Sequence, residues 1–154
     1  MFDAPVDAWY VWLGLGAASL AVLATAIPLT SGTPSGAARV ADAIDEVATS
    51  PYLASERVTL DADELRLGSS RIAVKTRAGV AHASLAFGPI TPVDSARLEA
   101  VLRGRAVGAV FESREAFRRA LRRANERLPR FRPAPDRLRV RRVSWGEVDA
   151  TLVG

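Results

Sequence analysis

The chain contains no cysteine. That excludes a disulfide framework, a thiolate metal site, a lipoprotein anchor and a palmitoyl thioester. It has one histidine, His82, which removes most zinc-site arrangements. Glutamine is absent, asparagine occurs once (Asn125), and lysine once (Lys75) against 20 arginines. Basic charge is therefore carried by a side chain that stays protonated and makes planar, bidentate contacts to carboxylate or phosphate. A high-GC genome or adaptation to salt would also favour arginine over lysine. No lysine or arginine precedes Arg39, and no acid lies within residues 8–27.

What is present begins with residues 9–27, an uncharged run from Trp9 to Ile27. At about 1.5 Å per residue it reaches roughly 28 Å, close to the hydrocarbon thickness of a bilayer. Trp9, Tyr10 and Trp12 cluster at one end, as interfacial aromatics do. Pro28 and the stretch Thr30-Ser-Gly-Thr-Pro-Ser-Gly36 end the helix and begin a linker. Ala24-Thr25-Ala26 offers a small-x-small cleavage site, but the tail lacks the positive region of a secretory signal and carries Asp3 and Asp7. The reading is a retained single-pass anchor in the cell membrane. Arg39 is the one basic residue near the run, so the side of the membrane stays open. Gly14 and Ala18, and Ala17 and Ala21, stand four apart, a spacing that suits helix–helix association in lipid.

The expected organisation is a tail (1–8), a transmembrane helix (9–27), a linker (28–36) and an extramembrane domain (37–154). The domain is large enough for its own core. Its charge is uneven. From Ala37 to Glu64, two arginines face seven acids, net −5. From Arg114 to Arg142, twelve arginines face three acids, net +9. Such asymmetry points to an acidic protein, a phosphate-bearing partner or anionic lipid.

Helical spacing of apolar residues predicts a helix over 36–49, stopped at Ser50-Pro51. Alternation predicts strands at 57–60, 64–67, 71–76 and 80–87, read together as one antiparallel meander. A further helix is expected from Asp94 or Ser95 to Arg103, and a short apolar connector at 107–111. The clearest helix follows Ser113, a good N-cap. Phe117, Leu121, Ala124 and Leu128 form its apolar stripe, and arginines cover the rest. After a proline-rich connector at 130–136, Arg137-Leu-Arg-Val-Arg141 alternates strictly, and a last strand runs from Glu147 to Val153. The fold class is α+β: an antiparallel sheet with two or three helices on one face.

No chemistry-bearing motif stands above background. His82 and Ser84 share a strand face, but residues two apart lie roughly 7 Å from each other, too far for a nucleophile–base pair. Asp61, Asp63 and Glu64 lack calcium-loop spacing. Gly104 and Gly108 lack the lysine that a phosphate loop needs. No catalytic, cofactor or metal residue is assigned, and no cofactor is expected. The arginines are the exception. Arg118, Arg122, Arg137, Arg139 and Arg141 are expected to be exposed and to dock an acidic protein partner, since burying an unpaired charge costs several kcal/mol. Nucleic acid is disfavoured for want of interleaved aromatics.

Several blocks carry a family likeness: the opening Met-Phe-Asp-Ala-Pro-Val-Asp-Ala-Trp-Tyr-Val-Trp-Leu-Gly14, then Leu60-Asp-Ala-Asp-Glu-Leu-Arg-Leu-Gly68, Ala81-His-Ala-Ser84, Phe87-Gly-Pro-Ile-Thr-Pro-Val93, and the closing run from Leu138 to Gly154. The chain resembles a family of haloarchaeal single-pass membrane proteins of unknown function. The resemblance implies an association with type IV pilus-like or secretion components. One departure is the basic sequence pI of about 10.5, where halophile proteins are usually acidic. The expected function is a non-enzymatic, membrane-tethered accessory subunit. The alternatives are a membrane-bound enzyme with an unrecognised site, or a basic domain binding anionic lipid or nucleic acid.

Overall fold

A computed structural model of the protein describes residues 35–154. The expected tail, anchor and association residues Gly14, Ala17, Ala18 and Ala21 lie outside the described residues, as does most of the linker. Among the described residues, no helix is long and apolar enough to cross a membrane.

The first helix, α1 (Gly36–Thr49), starts where Ser35 Oγ accepts a hydrogen bond from the Ala38 amide at 3.2 Å, a side-chain N-cap. Ala37, Val40, Ala41, Ile44 and Val47 are buried, the three-and-four spacing of one helix face. The strands that follow are β1 (Ser55–Thr59), β2 (Glu64–Leu67), β3 (Arg71–Thr76), β4 (Gly79–Ser84) and β5 (Ile90–Pro92). Next come helices α2 (Ala96–Leu102), α3 (Val107–Val110) and α4 (Arg114–Asn125). The chain closes with β6 (Arg132–Pro133), β7 (Arg137–Trp145) and β8 (Val148–Val153).

The class is α+β, but the strands form two four-stranded sheets rather than one. Their orders are β1-β7-β8-β5 and β4-β3-β2-β6. The expected meander holds for β2, β3 and β4. It fails for β1, which pairs antiparallel with β7 in the other sheet, Arg57 opposite Arg139. Leu60 N–H bonds to Asp136 O at 3.0 Å, so the chain leaves β1 beside the distant connector instead of turning back in a hairpin. β5 pairs parallel to β8, a contact that local alternation does not encode. The fourth expected strand stops at Ser84. Leu85 N–H still reaches the Ser70 carbonyl at 3.0 Å, and the two amides after it, Ala86 and Phe87, donate instead to the Asp45 carboxylate at 2.9 and 3.0 Å.

The sheet containing β7 separates two cores. Leu138 and Val140 pack with α1 and the second sheet. Val143 packs with α2, α3 and α4. In β8 the neighbours Leu152 and Val153 enter opposite cores, as strand pleating requires. Phe117 is the largest fully buried side chain. Its ring lies 5.2 Å from Phe111 and 6.4 Å from Trp145, both tilted. Such a side chain contributes about 1.5–3 kcal/mol by burial. The β7–β8 turn favours glycine at Gly146 because its φ of +65 is a backbone conformation that residues with a Cβ rarely adopt.

Candidate functional site

The five arginines singled out from the sequence do not form one face. α4 begins at Ser113, whose Oγ accepts from the Ala116 amide at 3.2 Å. Phe117, Leu121 and Ala124 turn inward, and this leaves Arg118 and Arg122 exposed. Both approach Glu115, at 3.0 and 3.5 Å, and Arg119 reaches the same carboxylate at 4.0 Å. One negative charge faces three positive ones. Arg118 lines a shallow groove with Glu147 and Val148 at the β7–β8 turn. The expected apolar stripe also ends early. Leu128 lies past the helix end and is 80% exposed, because the chain turns away toward Pro129.

Arg137, Arg139 and Arg141 lie on the other end of the domain's longest strand, and they share one face of it. That face is the one covered further along by α2, α3 and α4. Arg137 is exposed, whereas Arg139 and Arg141 are half-buried. Arg141 is not a solvated charge as expected. Its Nη1 donates to the carbonyl oxygen of Val101, and lies 3.4 Å from that of Arg105. It adds a second donor to the Val101 carbonyl, which already accepts from the Gly104 amide at 3.0 Å, at the C-terminal end of α2, where the helix dipole favours a cation. This is a structural role.

Arg137 and Arg139 open instead into a groove of about 610 Å³ between the start of β7 and α2. Backbone bonds of 2.8 and 3.0 Å between Arg139 and Gly154 hold the strand there. Among the described residues, neither guanidinium has a carboxylate or hydrogen-bond partner. Arg57, on the edge strand β1, stands directly across the ladder from Arg139, a like-charge pairing that destabilises a sheet. The two acids in the groove are already engaged. Glu99 pairs with Arg103 at 2.5 Å, and Asp94 Oδ2 lies 2.6 Å from Arg127 Nη1. The Asp94–Arg127 contact lacks hydrogen-bond alignment, and Asp94 Oδ2 has no other partner.

The remaining sequence candidates are not gathered into a site. His82 and Ser84 are exposed on the outer face of β4, and His82 stands across from Ala73. Glu64 is taken up by Lys75 at 2.6 Å, and that hydrogen bond raises the Lys75 pKa. Among the described residues, no group of three His, Asp or Glu side chains could hold a metal ion.

A sequence description of a family of unknown function, DUF7283, matches residues 3–143. The chain belongs to this family. No curated protein matches it. No solved structure matches it either. Family membership therefore leaves the groove and its arginines as the ground for a functional reading. Local sequence reasoning singled out Arg137 and Arg139 by their strict alternation. It passed over Asp94, Glu99 and Arg103, whose relevance comes only from α2 folding against β7.

Proposed function

We propose that the chain is a non-enzymatic, membrane-tethered interaction module that docks an acidic protein partner through Arg137 and Arg139. Residues 9–27 supply the tether in this reading. The setting is an accessory role in a larger assembly of the type IV pilus-like or secretion kind, which rests on the resemblance of the sequence blocks.

The observation that carries the docking role is the pair Arg137 and Arg139, which face an open groove whose two carboxylates, Asp94 and Glu99, lie closest to other arginines, so that among the described residues neither guanidinium has an ion-pair partner. Four neighbouring arginines are engaged within the protein itself. Arg141 and Arg142 bond to backbone carbonyls, and Arg103 and Arg127 pair with acids. Charge reversal at an interface sets like charges together and costs several kcal/mol. Exposed charges otherwise contribute only about 0–1 kcal/mol to stability.

The test is co-purification of the full chain in mild detergent, wild type beside Arg137→Glu/Arg139→Glu. An acidic protein should be recovered with the wild type and lost with the folded double variant. Equal recovery by both would overturn the reading.

A further inference from the structure

The groove at Arg137 and Arg139 is one of three that adjoin. The second, about 200 Å³, shares Val93, Pro135 and Gly154 with it. The third, about 130 Å³, shares Leu67 and Arg132 with the second. Arginines line the path from end to end: Arg137 and Arg139 in the first, Arg132 at the junction, and Arg130 and Arg127 in the third. Its two carboxylates, Asp94 and Glu99, are held by Arg127 and Arg103. The net field along the path is positive. Between the charges the walls are apolar, with Leu65, Leu67, Val93 and Leu138 lining the middle groove.

We infer that these connected grooves receive an acidic polypeptide segment in extended conformation, with acidic side chains toward the arginines and an apolar side chain in the middle groove. The inference rests on the docking reading above and specifies the form in which the partner binds.

Spacing supports it. Arg137 and Arg139 are two apart on a strand, and Arg130 and Arg132 are two apart on the proline-rich connector. Same-face residues of an extended chain repeat at roughly 7 Å, so alternate acids of an extended segment keep step with alternate arginines. A compact anion would fill one groove and leave the other arginines unmatched. The edge position of β1 adds a further cation, since Arg57 stands across from Arg139. A nucleic-acid strand shows a similar charge repeat, but it binds through stacked bases. The nearby aromatic ring, Phe131, already lies under the Arg66 guanidinium at 4.8 Å. None of the three grooves is lined by an aromatic side chain.

The experiment uses the full chain in non-ionic detergent and fluorescence anisotropy. The probes are a labelled decapeptide alternating glutamate with leucine or threonine, its glutamine counterpart, a labelled oligothymidylate, and a labelled short-chain phosphatidylserine. The glutamate peptide should bind at least tenfold more tightly than the glutamine peptide. Arg132→Glu/Arg137→Glu should weaken it at least tenfold. Arg118→Glu/Arg122→Glu, which lies outside the grooves, should change it less than threefold. Circular dichroism and thermal unfolding establish that each variant is folded. Equal loss from both double variants would overturn the groove and show binding by diffuse charge. Tighter binding of the oligonucleotide or the phosphatidylserine than of the glutamate peptide would overturn the polypeptide occupant. Loss of the co-purified partner in Arg137→Glu/Arg139→Glu, with no peptide binding to the wild type, would overturn the extended form and leave the docking reading standing. Retention of the partner in that variant would remove the docking reading itself.

Discussion

Arg142 Nη1 lies 2.6 Å from the carbonyl oxygen of Ala48 and 2.7 Å from that of Ser50. One side chain from β7 thus closes the C-terminal end of α1, 92 and 94 residues away in sequence. The bond ties the helix to the central sheet and satisfies carbonyls that the helix leaves open. Replacing Arg142 with alanine strands those acceptors in a half-buried place. The expected loss is about 1.5–3 kcal/mol, read from urea unfolding of the full chain in detergent. A change below about 0.5 kcal/mol would mean that water serves the carbonyls equally well.

Asp45 should matter in the same way. Its carboxylate accepts from the amides of both Ala86 and Phe87, and charge-assisted bonds are the strong ones. Asp45→Ala should cost about 1–3 kcal/mol and speed hydrogen exchange at residues 86 and 87. Unchanged exchange there would show that the turn holds itself.

These two residues mark the limit of what the sequence made legible. Period and capping signals placed α1, α2, α4 and the β2–β3–β4 meander, because each depends on residues close in the chain. The pairing of β1 with β7 and of β5 with β8 joins segments that are distant in sequence, and alternation says which side chains face inward but not which strand lies alongside. Arginines posed the same problem. Arg137, Arg141 and Arg142 look alike in sequence, yet the first faces a groove and the other two bond to helix-end carbonyls. Asp45 is one of the seven acids counted between Ala37 and Glu64, and its role shows only once the 86–87 turn is folded against it.

Phe117 anchors the second core, fully buried between Phe111 and Trp145. Phe117→Ala should destabilise the domain by about 3–5 kcal/mol through lost burial and the remaining cavity. Phe117→Leu, which keeps more of the volume, should cost clearly less. Thermal unfolding of the two variants checks the order, and equal losses would show that the ring contacts dominate over volume.

The Lys75–Glu64 pair predicts a dependence on alkaline pH. The hydrogen bond that Lys75 donates to the Glu64 carboxylate raises the Lys75 pKa above its ordinary 10.5. A raised folded-state value means that the contribution is fully present below the unfolded pKa and fades as pH climbs through the folded one. The stability advantage of wild type over Lys75→Met should therefore be constant from pH 6 to 9 and shrink above about 10.5. The pair is exposed, so the advantage is small. Chemical denaturation across that range would reveal it, and an advantage that grew with pH would contradict the pairing.

The docking role has the most direct test. A photoreactive residue at Ala96, an exposed wall of the groove, should crosslink in cells to a polypeptide whose adducted segment is rich in aspartate and glutamate. The adduct should disappear when Arg137 and Arg139 are both changed to glutamate in the folded protein. Adducts that persist through this reversal, or adducts to lipid alone, would contradict docking through these two arginines.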